Sequence, residues 1–114
     1  MRRIALIAAL TALTATPTLA QSFEGNWGCR DTTSAKAGIL TIYGNVYGFA
    51  STTPGDPSSG TGTITGYENG VGFNDGGLKT ARNITAGRVI PDPSFGAAIQ
   101  LETTEAIVML CTPR

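Results

Sequence analysis

The alternation of apolar and polar residues predicts strands over most of this chain. The clearest case is the segment 95–102, where Phe95, Ala97, Ile99 and Leu101 alternate with smaller or polar residues. A period of two is typical of a strand with one buried face. The later run "AIVMLC" is apolar at every position. It predicts a strand that is covered on both faces, or partly covered by a neighbouring loop.

Three short segments predict hairpins between such strands. Gly44-Asn45 separates two runs rich in β-branched and aromatic residues within "AGILTIYGNVYGFAS". Glu68-Asn69-Gly70 separates "TGTITGY" from "VGF", and the polar segment 103–105 separates the two runs described above. Strands that follow one another through short turns pair in antiparallel fashion. These segments therefore predict an antiparallel sheet.

The rest of the chain is punctuated by turn residues. The segment "TTPGDPSSG", residues 52–60, predicts a loop, and residues 74–77 and 91–94 predict turns. Residues 78–90 are compatible with a helical turn near the start or with a strand. Seven or eight short strands at spacings of about 8 to 12 residues indicate an all-β fold, either a small antiparallel barrel or a sandwich.

The first 20 residues have the pattern of a cleaved signal peptide. Met1-Arg2-Arg3 is positively charged, an apolar run follows from Ile4 to Leu13, and small residues come before Gln21. The apolar run spans about 10 residues, whereas about 20 are needed to cross a bilayer. The sequence therefore predicts a periplasmic or secreted protein whose single β-domain comprises residues 21–114. No stable membrane insertion is expected after cleavage.

The only two cysteines predict a disulfide bond. In "FEGNWGCR" the alternation places Trp27 and Cys29 on one face of the first strand, and Cys111 shares a face with Met109 on the last strand. In an exported protein the two thiols admit one intramolecular pairing. The bridge would join the first strand to the last. A redox-active pair is not indicated, because no C-x-x-C motif is present.

Composition and charge exclude several function classes. Six basic residues against eight acidic ones give the segment 21–114 a net charge of −2, and the basic residues form no run in the sequence, so nucleic acid is not an expected partner. No histidine is present, which excludes a Ser-His-Asp arrangement. No cofactor, no metal and no catalytic residue are predicted, and a monomer is expected. The eight carboxylates match no catalytic signature.

Four aromatic residues are the candidate partner-binding residues. Tyr43 and Tyr47 flank the predicted turn at Gly44-Asn45, and the same strand parity assigns them to one face. Tyr67 and Phe73 lie beside the glycine-rich segment 68–77. Aromatic anchors are enriched at binding interfaces. The alternative is that these rings pack in the core. Trp27 is expected in the core.

Short motifs of the chain resemble known secreted barrels. The G-x-W motif at Gly25 and Trp27 resembles the entry strand of lipocalin-like barrels, including small bacterial protease inhibitors. Cysteines on the first and last strands are similar to those of the periplasmic inhibitors of C-type lysozyme, although the Ser-Gly-x-x-Tyr motif of that family is absent. As a whole, the chain resembles uncharacterised small secreted proteins of Gram-negative bacteria. That resemblance implies a cellular compartment, but it does not indicate an activity.

These observations favour a non-enzyme. The preferred hypothesis is a binding module or inhibitor that acts on a protein or a small ligand through the loops 52–60 and 68–77. One alternative is a structural protein of the cell envelope. The other is a small hydrolase of envelope polymers that uses paired carboxylates.

Overall fold

A computed structural model describes residues 23–114 of the protein. The predicted signal peptide, residues 1–20, lies outside the described residues. The described chain forms eight strands and one short helix. The elements, in chain order, are β1 (Gly25–Asp31), β2 (Lys36–Tyr43), β3 (Val46–Ser51), β4 (Gly60–Tyr67), β5 (Gly70–Phe73), α1 (Gly77–Arg82), β6 (Ala86–Asp92), β7 (Gly96–Glu102) and β8 (Ile107–Pro113).

The eight strands form a closed antiparallel barrel. Each strand pairs with the next along the chain, and β8 pairs with β1 to complete the circle. Cys29 and Cys111 face each other across this last pairing and form a disulfide bond. The all-β class and the bridge between first and last strands are therefore confirmed. Of the two predicted architectures, barrel and sandwich, the protein adopts the barrel.

The order of the strands gives the barrel two different ends. Connections between consecutive antiparallel strands alternate between the ends. The turn end carries the short connections 44–45, 68–69 and 93–95. The helix end carries the connections 32–35, 52–59, 74–85 and 103–106. Phe23 precedes β1 at the turn end, where β8 also finishes.

The barrel interior is filled with side chains. Trp27 lies inside, as predicted, with 6% of its surface exposed, and its indole N–H donates to the Phe23 carbonyl at 2.9 Å. The inward-facing side chains come from every strand. Buried residues of the core include Leu40, Ile42, Phe49, Ile64, Val71, Ile99, Leu101 and Met109. Burial of this apolar surface, at roughly 25 cal/mol per Å², drives the closure of the barrel.

The segment 78–90, which was ambiguous in sequence, contains both a helix and a strand. Helix α1 buries Leu78 completely, and it is capped by Asn83, which adopts a left-handed conformation with φ of 58°. Asn83 N–H donates to the Lys79 carbonyl at 3.0 Å. Ile84 then returns to the core, and β6 begins two residues later. Leu78 and Ile84 thus belong to the core at the helix end.

The loop 52–59 is held by the carboxylate of Asp56. This carboxylate accepts hydrogen bonds from the backbone N–H of Ser58 at 2.9 Å, from the Ser58 hydroxyl at 2.8 Å and from the Ser51 hydroxyl at 2.8 Å. Arg82 of α1 donates to the same carboxylate at 3.0 Å. These bonds, that of the Ser58 N–H foremost, lower the pKa of Asp56 well below its usual value. Ser58 is fully buried. The loop is therefore tied to the helix.

Details of the last strands differ from the sequence prediction. Strand β7 begins at Gly96, so Phe95 lies in the turn with 55% of its surface exposed. The pairing register of β7 with β8 shifts between Leu101 and Glu102, and Ile107 is 49% exposed. Leu110 is 39% exposed, so the prediction that β8 is covered on both faces is wrong there. The predicted turn at 91–94 is displaced, because β6 continues to Asp92.

Candidate functional site

The turn at 44–45 decides which tyrosine reaches solvent. It contains two residues, so Tyr43 pairs with Val46, and Ile42 pairs with Tyr47. Paired residues across an antiparallel ladder share a face, and neighbours along a strand do not. Tyr43 and Val46 therefore face outwards, with 59% and 51% of their surfaces exposed. The prediction that Tyr43 and Tyr47 share a face is wrong, because the alternation of faces along a strand does not continue through the turn.

Tyr47 and Phe73 lie in the core and not at the surface. Each is 2% exposed, and their rings meet edge to face with centroids 5.0 Å apart. The Tyr47 hydroxyl donates to the Asp75 carbonyl at 2.9 Å and accepts from the Leu78 N–H at 3.3 Å. Burial raises the pKa of the Tyr47 hydroxyl. Both rings are therefore inaccessible to a partner at the surface.

An open groove borders Tyr43 on the outer face of β2, β3 and β4. We call it the tyrosine groove. Its volume is about 520 Å³, and its lining is mostly apolar. The outward-facing lining residues are Thr41, Tyr43, Val46, Gly48, Thr61 and Thr63, and the inward-facing pair Tyr47 and Gly62 lies between them along β3 and β4. Gly48 pairs with Thr41 on one side and Thr61 on the other, so the missing side chain lowers the floor at the middle strand.

Two of the four side-chain hydroxyls that border the tyrosine groove are bonded to the protein, and two are free within the described residues. The Thr41 hydroxyl donates to Asn26 Oδ1 at 2.7 Å, and the Thr63 hydroxyl donates to Asp75 Oδ2 at 3.1 Å. Within residues 23–114, the hydroxyls of Thr61 and Tyr43 have no hydrogen-bond partner. A sugar brings many hydroxyls that need partners, whereas an apolar side chain needs none. The groove therefore suits an apolar group beside an aromatic ring.

Tyr67 is the second exposed tyrosine at the turn end. Its surface is 59% exposed, and its ring lies over Gly72, where an added Cβ atom would come within 2.9 Å of the ring carbon Cε2. It borders a separate groove of about 310 Å³ that also contains Glu68 and Arg88. Phe95 is the third exposed ring at this end. Each short turn at the turn end thus has one exposed aromatic residue in it or beside it.

The two loops predicted to form one recognition surface adjoin only in part, because Gly77 lies against Pro57 and Ser58 while the turn 68–69 lies at the other end of the barrel. Residues 52–59 lie at the helix end, whereas the turn 68–69 lies at the turn end. Residues 74–77 return to the helix end. Tyr67 is therefore remote from the loop 52–59. Only the hairpin pairing, which requires knowledge of where each strand ends, could have revealed this division.

Six of the eight carboxylates are engaged in structural hydrogen bonds. Asp31 accepts from Thr33 and Ala35 in the first connection, and the hydroxyl and N–H of Thr33 lower its pKa. Glu102 pairs with Arg88 at 3.0 Å. Protein groups also donate to Glu24, Asp56, Asp75 and Asp92. Glu68 and Glu105 lie at opposite ends of the barrel. In the part of the chain that the structure describes, no cluster of three or more ligand side chains could hold a metal.

Comparisons with known proteins do not extend this description. No protein-family model, no curated protein and no solved structure matches the chain. Among residues 23–114, no helix is long and apolar enough to span a membrane. The geometry of the barrel surface is therefore the basis for an assignment of function.

Proposed function

We propose that this protein is a non-catalytic binding module of the periplasm or the extracellular space, and that it recognises a protein partner. The tyrosine groove is the proposed contact site. An apolar side chain of the partner would lie over Gly48 and against the Tyr43 ring, with Val46 beside it. Tyr67 would extend the contact at the turn end.

One observation carries this proposal. Tyr43 and Val46 form an exposed cross-strand pair that borders a groove whose surface is mostly apolar. Exposed aromatic residues beside an apolar depression are typical anchors of protein interfaces. A sugar is the less favoured ligand, because the hydroxyls of Thr41 and Thr63 already bond to the protein.

The chemistry of Asp31 and Asp56 supports a non-catalytic role for these two carboxylates. A hydrolase that uses paired acids needs one carboxyl group whose pKa is raised, so that it can donate a proton. The pKa values of Asp31 and Asp56 are shifted in the opposite direction. Asp56 is also paired with Arg82. These groups stabilise loops and have no free proton to donate near neutral pH.

Site-specific photo-crosslinking in the cells that produce the protein tests the proposal. A photoreactive amino acid replaces Val46 in one variant and Ile107 in the other. Ile107 is the matched control, because it is similarly exposed, at 49%, but lies at the helix end. We expect a discrete protein adduct from position 46 and none from position 107.

A second substitution distinguishes binding in the tyrosine groove from nonspecific contact with the barrel surface. Gly48→Val fills the floor of the tyrosine groove, where the nearest atoms to an added Cβ are 4.0 Å away. The change should preserve the fold, since β-branched residues are favoured in strands. It should abolish the adduct from position 46. An adduct that survives Gly48→Val, or that also forms from position 107, contradicts the proposal, and capture of polysaccharide alone would assign a sugar ligand.

A further inference from the structure

Of the six basic residues in the described chain, two form ion pairs and four do not. Arg82 pairs with Asp56, and Arg88 pairs with Glu102. The other four cations form no ion pair within residues 23–114. They are Arg30, Lys36, Lys79 and Arg114. Three of these four, all except Lys79, line a single groove. Their convergence is not visible in the sequence, because the barrel brings the last residue of the chain beside β1.

This basic groove lies on the outer face of four neighbouring strands. Its floor is a row of small or apolar residues that pair across β8, β1, β2 and β3. The row consists of Thr112, Gly28, Ile39 and Ala50. The groove has a volume of about 350 Å³, which is within the range of small-ligand sites. No carboxylate side chain lines it.

The three cations approach the floor from both sides. Arg30 and Lys36 pair across β1 and β2 directly after a β-bulge between Cys29 and Arg30, and both residues line the groove. One N–H of the Arg30 guanidinium donates to the Ser34 carbonyl at 2.9 Å, which leaves its other donors free. Arg114 lies over Gly28, where an added Cβ would be 3.9 Å from its Cδ atom. The absence of a side chain at Gly28 leaves room for the Arg114 side chain to lie across β1, beside the groove floor.

We propose that the basic groove binds a phosphate monoester. The phosphate group would accept hydrogen bonds from Arg30, Lys36 and Arg114, and the organic part of the ester would lie on Ile39 and Ala50. Three unpaired cations match a phosphate dianion better than a carboxylate with one charge. Guanidinium groups also donate in the fork geometry that phosphate oxygens accept. The ligand can be a soluble ester or the headgroup of a lipid, since both present the same chemistry.

Binding of phenyl phosphate to the purified protein tests this proposal. Isothermal titration calorimetry should show that phenyl phosphate binds at least about fivefold more tightly than benzoate, which has a similar ring and one charge. Lys36→Gln and Arg114→Gln should each weaken phenyl phosphate binding about tenfold, because each removes a charged donor. Lys79→Gln is the matched control and should leave the affinity unchanged. Thermal unfolding of each variant verifies the fold.

Sedimentation with vesicles identifies the source of the ester. Co-sedimentation with vesicles that contain phosphatidic acid, lost in Lys36→Gln, would assign the lipid headgroup. Binding of phenyl phosphate without co-sedimentation would assign a soluble ester. Equal affinities for phenyl phosphate and benzoate would overturn the proposal. So would an unchanged affinity in Lys36→Gln and Arg114→Gln, or the absence of binding to both phenyl phosphate and vesicles. The tyrosine groove is a separate site, so these results do not depend on the proposed protein partner.

Discussion

At the scale of single residues, glycines shape both the outer surface and the core of the barrel. Gly48 and Gly28 face outwards, and they lie on the floors of the two proposed sites. Gly62 faces the crowded side of β4, where an added Cβ would come within 2.6 Å of both the Asp75 carbonyl oxygen and Cε1 of Tyr47. The same residue type therefore serves binding at some positions and close packing at others.

Paired substitutions of these glycines should distinguish the two roles. Gly62→Ala should lower the free energy of unfolding by about 1 to 3 kcal/mol, because the added methyl group meets a backbone carbonyl that cannot easily move. Gly48→Ala should change it by less than about 0.5 kcal/mol, since its surroundings are open. Chemical denaturation monitored by tryptophan fluorescence measures both values. Equal losses in the two variants would contradict the assignment of Gly62 to a packed position.

Asp56 should make stability depend on acid pH. Its pKa is lowered in the folded protein, so its contribution is present above the unfolded value of about 3.9 and is lost as the pH falls through the folded value. Between about pH 4 and pH 2, the wild-type protein should take up about one more proton on unfolding than Asp56→Asn does. The stabilities of the two proteins should therefore converge towards low pH. Parallel stability curves over that range would show that Asp56 is not responsible.

At the scale of elements, the lengths of turns determine which faces are shared. The two-residue turn at 44–45 places Tyr43 outside and Tyr47 inside. Tyr43 therefore borders the tyrosine groove on the outer face. Helix α1 is too short to be stable by itself. Its position depends on Leu78 in the core and on the pairing of Arg82 with Asp56. Local sequence therefore allows the helix, and tertiary contacts hold it.

The helix should be anchored mainly by one side chain. Leu78→Ala should cost about 2 to 5 kcal/mol of unfolding free energy, because it removes buried apolar atoms and leaves a cavity at the helix end. Lys79→Ala, at an exposed neighbouring position, should cost less than about 0.5 kcal/mol. Urea denaturation of the two variants gives the comparison. A loss below about 1 kcal/mol in Leu78→Ala would mean that α1 does not contribute to the core.

At the scale of the whole molecule, two kinds of interaction close the barrel. Backbone pairing of β1 with β8 joins the ends of the sheet, and the disulfide between Cys29 and Cys111 joins the same two strands. The cysteines are 82 positions apart. The bridge therefore restricts nearly all of the domain in the unfolded state. A barrel also has no free sheet edge, which removes the main route to edge pairing between copies.

Loss of the disulfide should destabilise the protein strongly. The chain-entropy relation for a loop of this length predicts a cost of about 4 to 5 kcal/mol, comparable to the whole stability of a small domain. Denaturation of the oxidised protein, the protein with a chemical reductant and the variant Cys29→Ala/Cys111→Ala measures this cost. The reductant should have no effect on the variant. A cost below about 1 kcal/mol would assign the closure to backbone pairing alone.

Much of the architecture follows from local sequence. Period-two patterns and glycine-containing turns are enough to predict antiparallel strands and a buried indole, because each depends on residues near one another in the chain. The bridge from β1 to β8 joins distant residues, and it could be predicted because the chain has only two cysteines. The choice of barrel over sandwich requires the pairing of the first strand with the last. That pairing is a long-range contact, which periodicity does not encode.

The candidate sites depended on tertiary structure for the same reason. Tyr43 and Tyr67 were identified from sequence, yet only the register showed that Tyr47 and Phe73 point inwards. The basic groove was invisible, because Arg114 lies far along the chain from Arg30 and Lys36. Sequence patterns determine which residues within one strand share a face. The closure of the sheet alone determines which residues from distant strands become neighbours on that face.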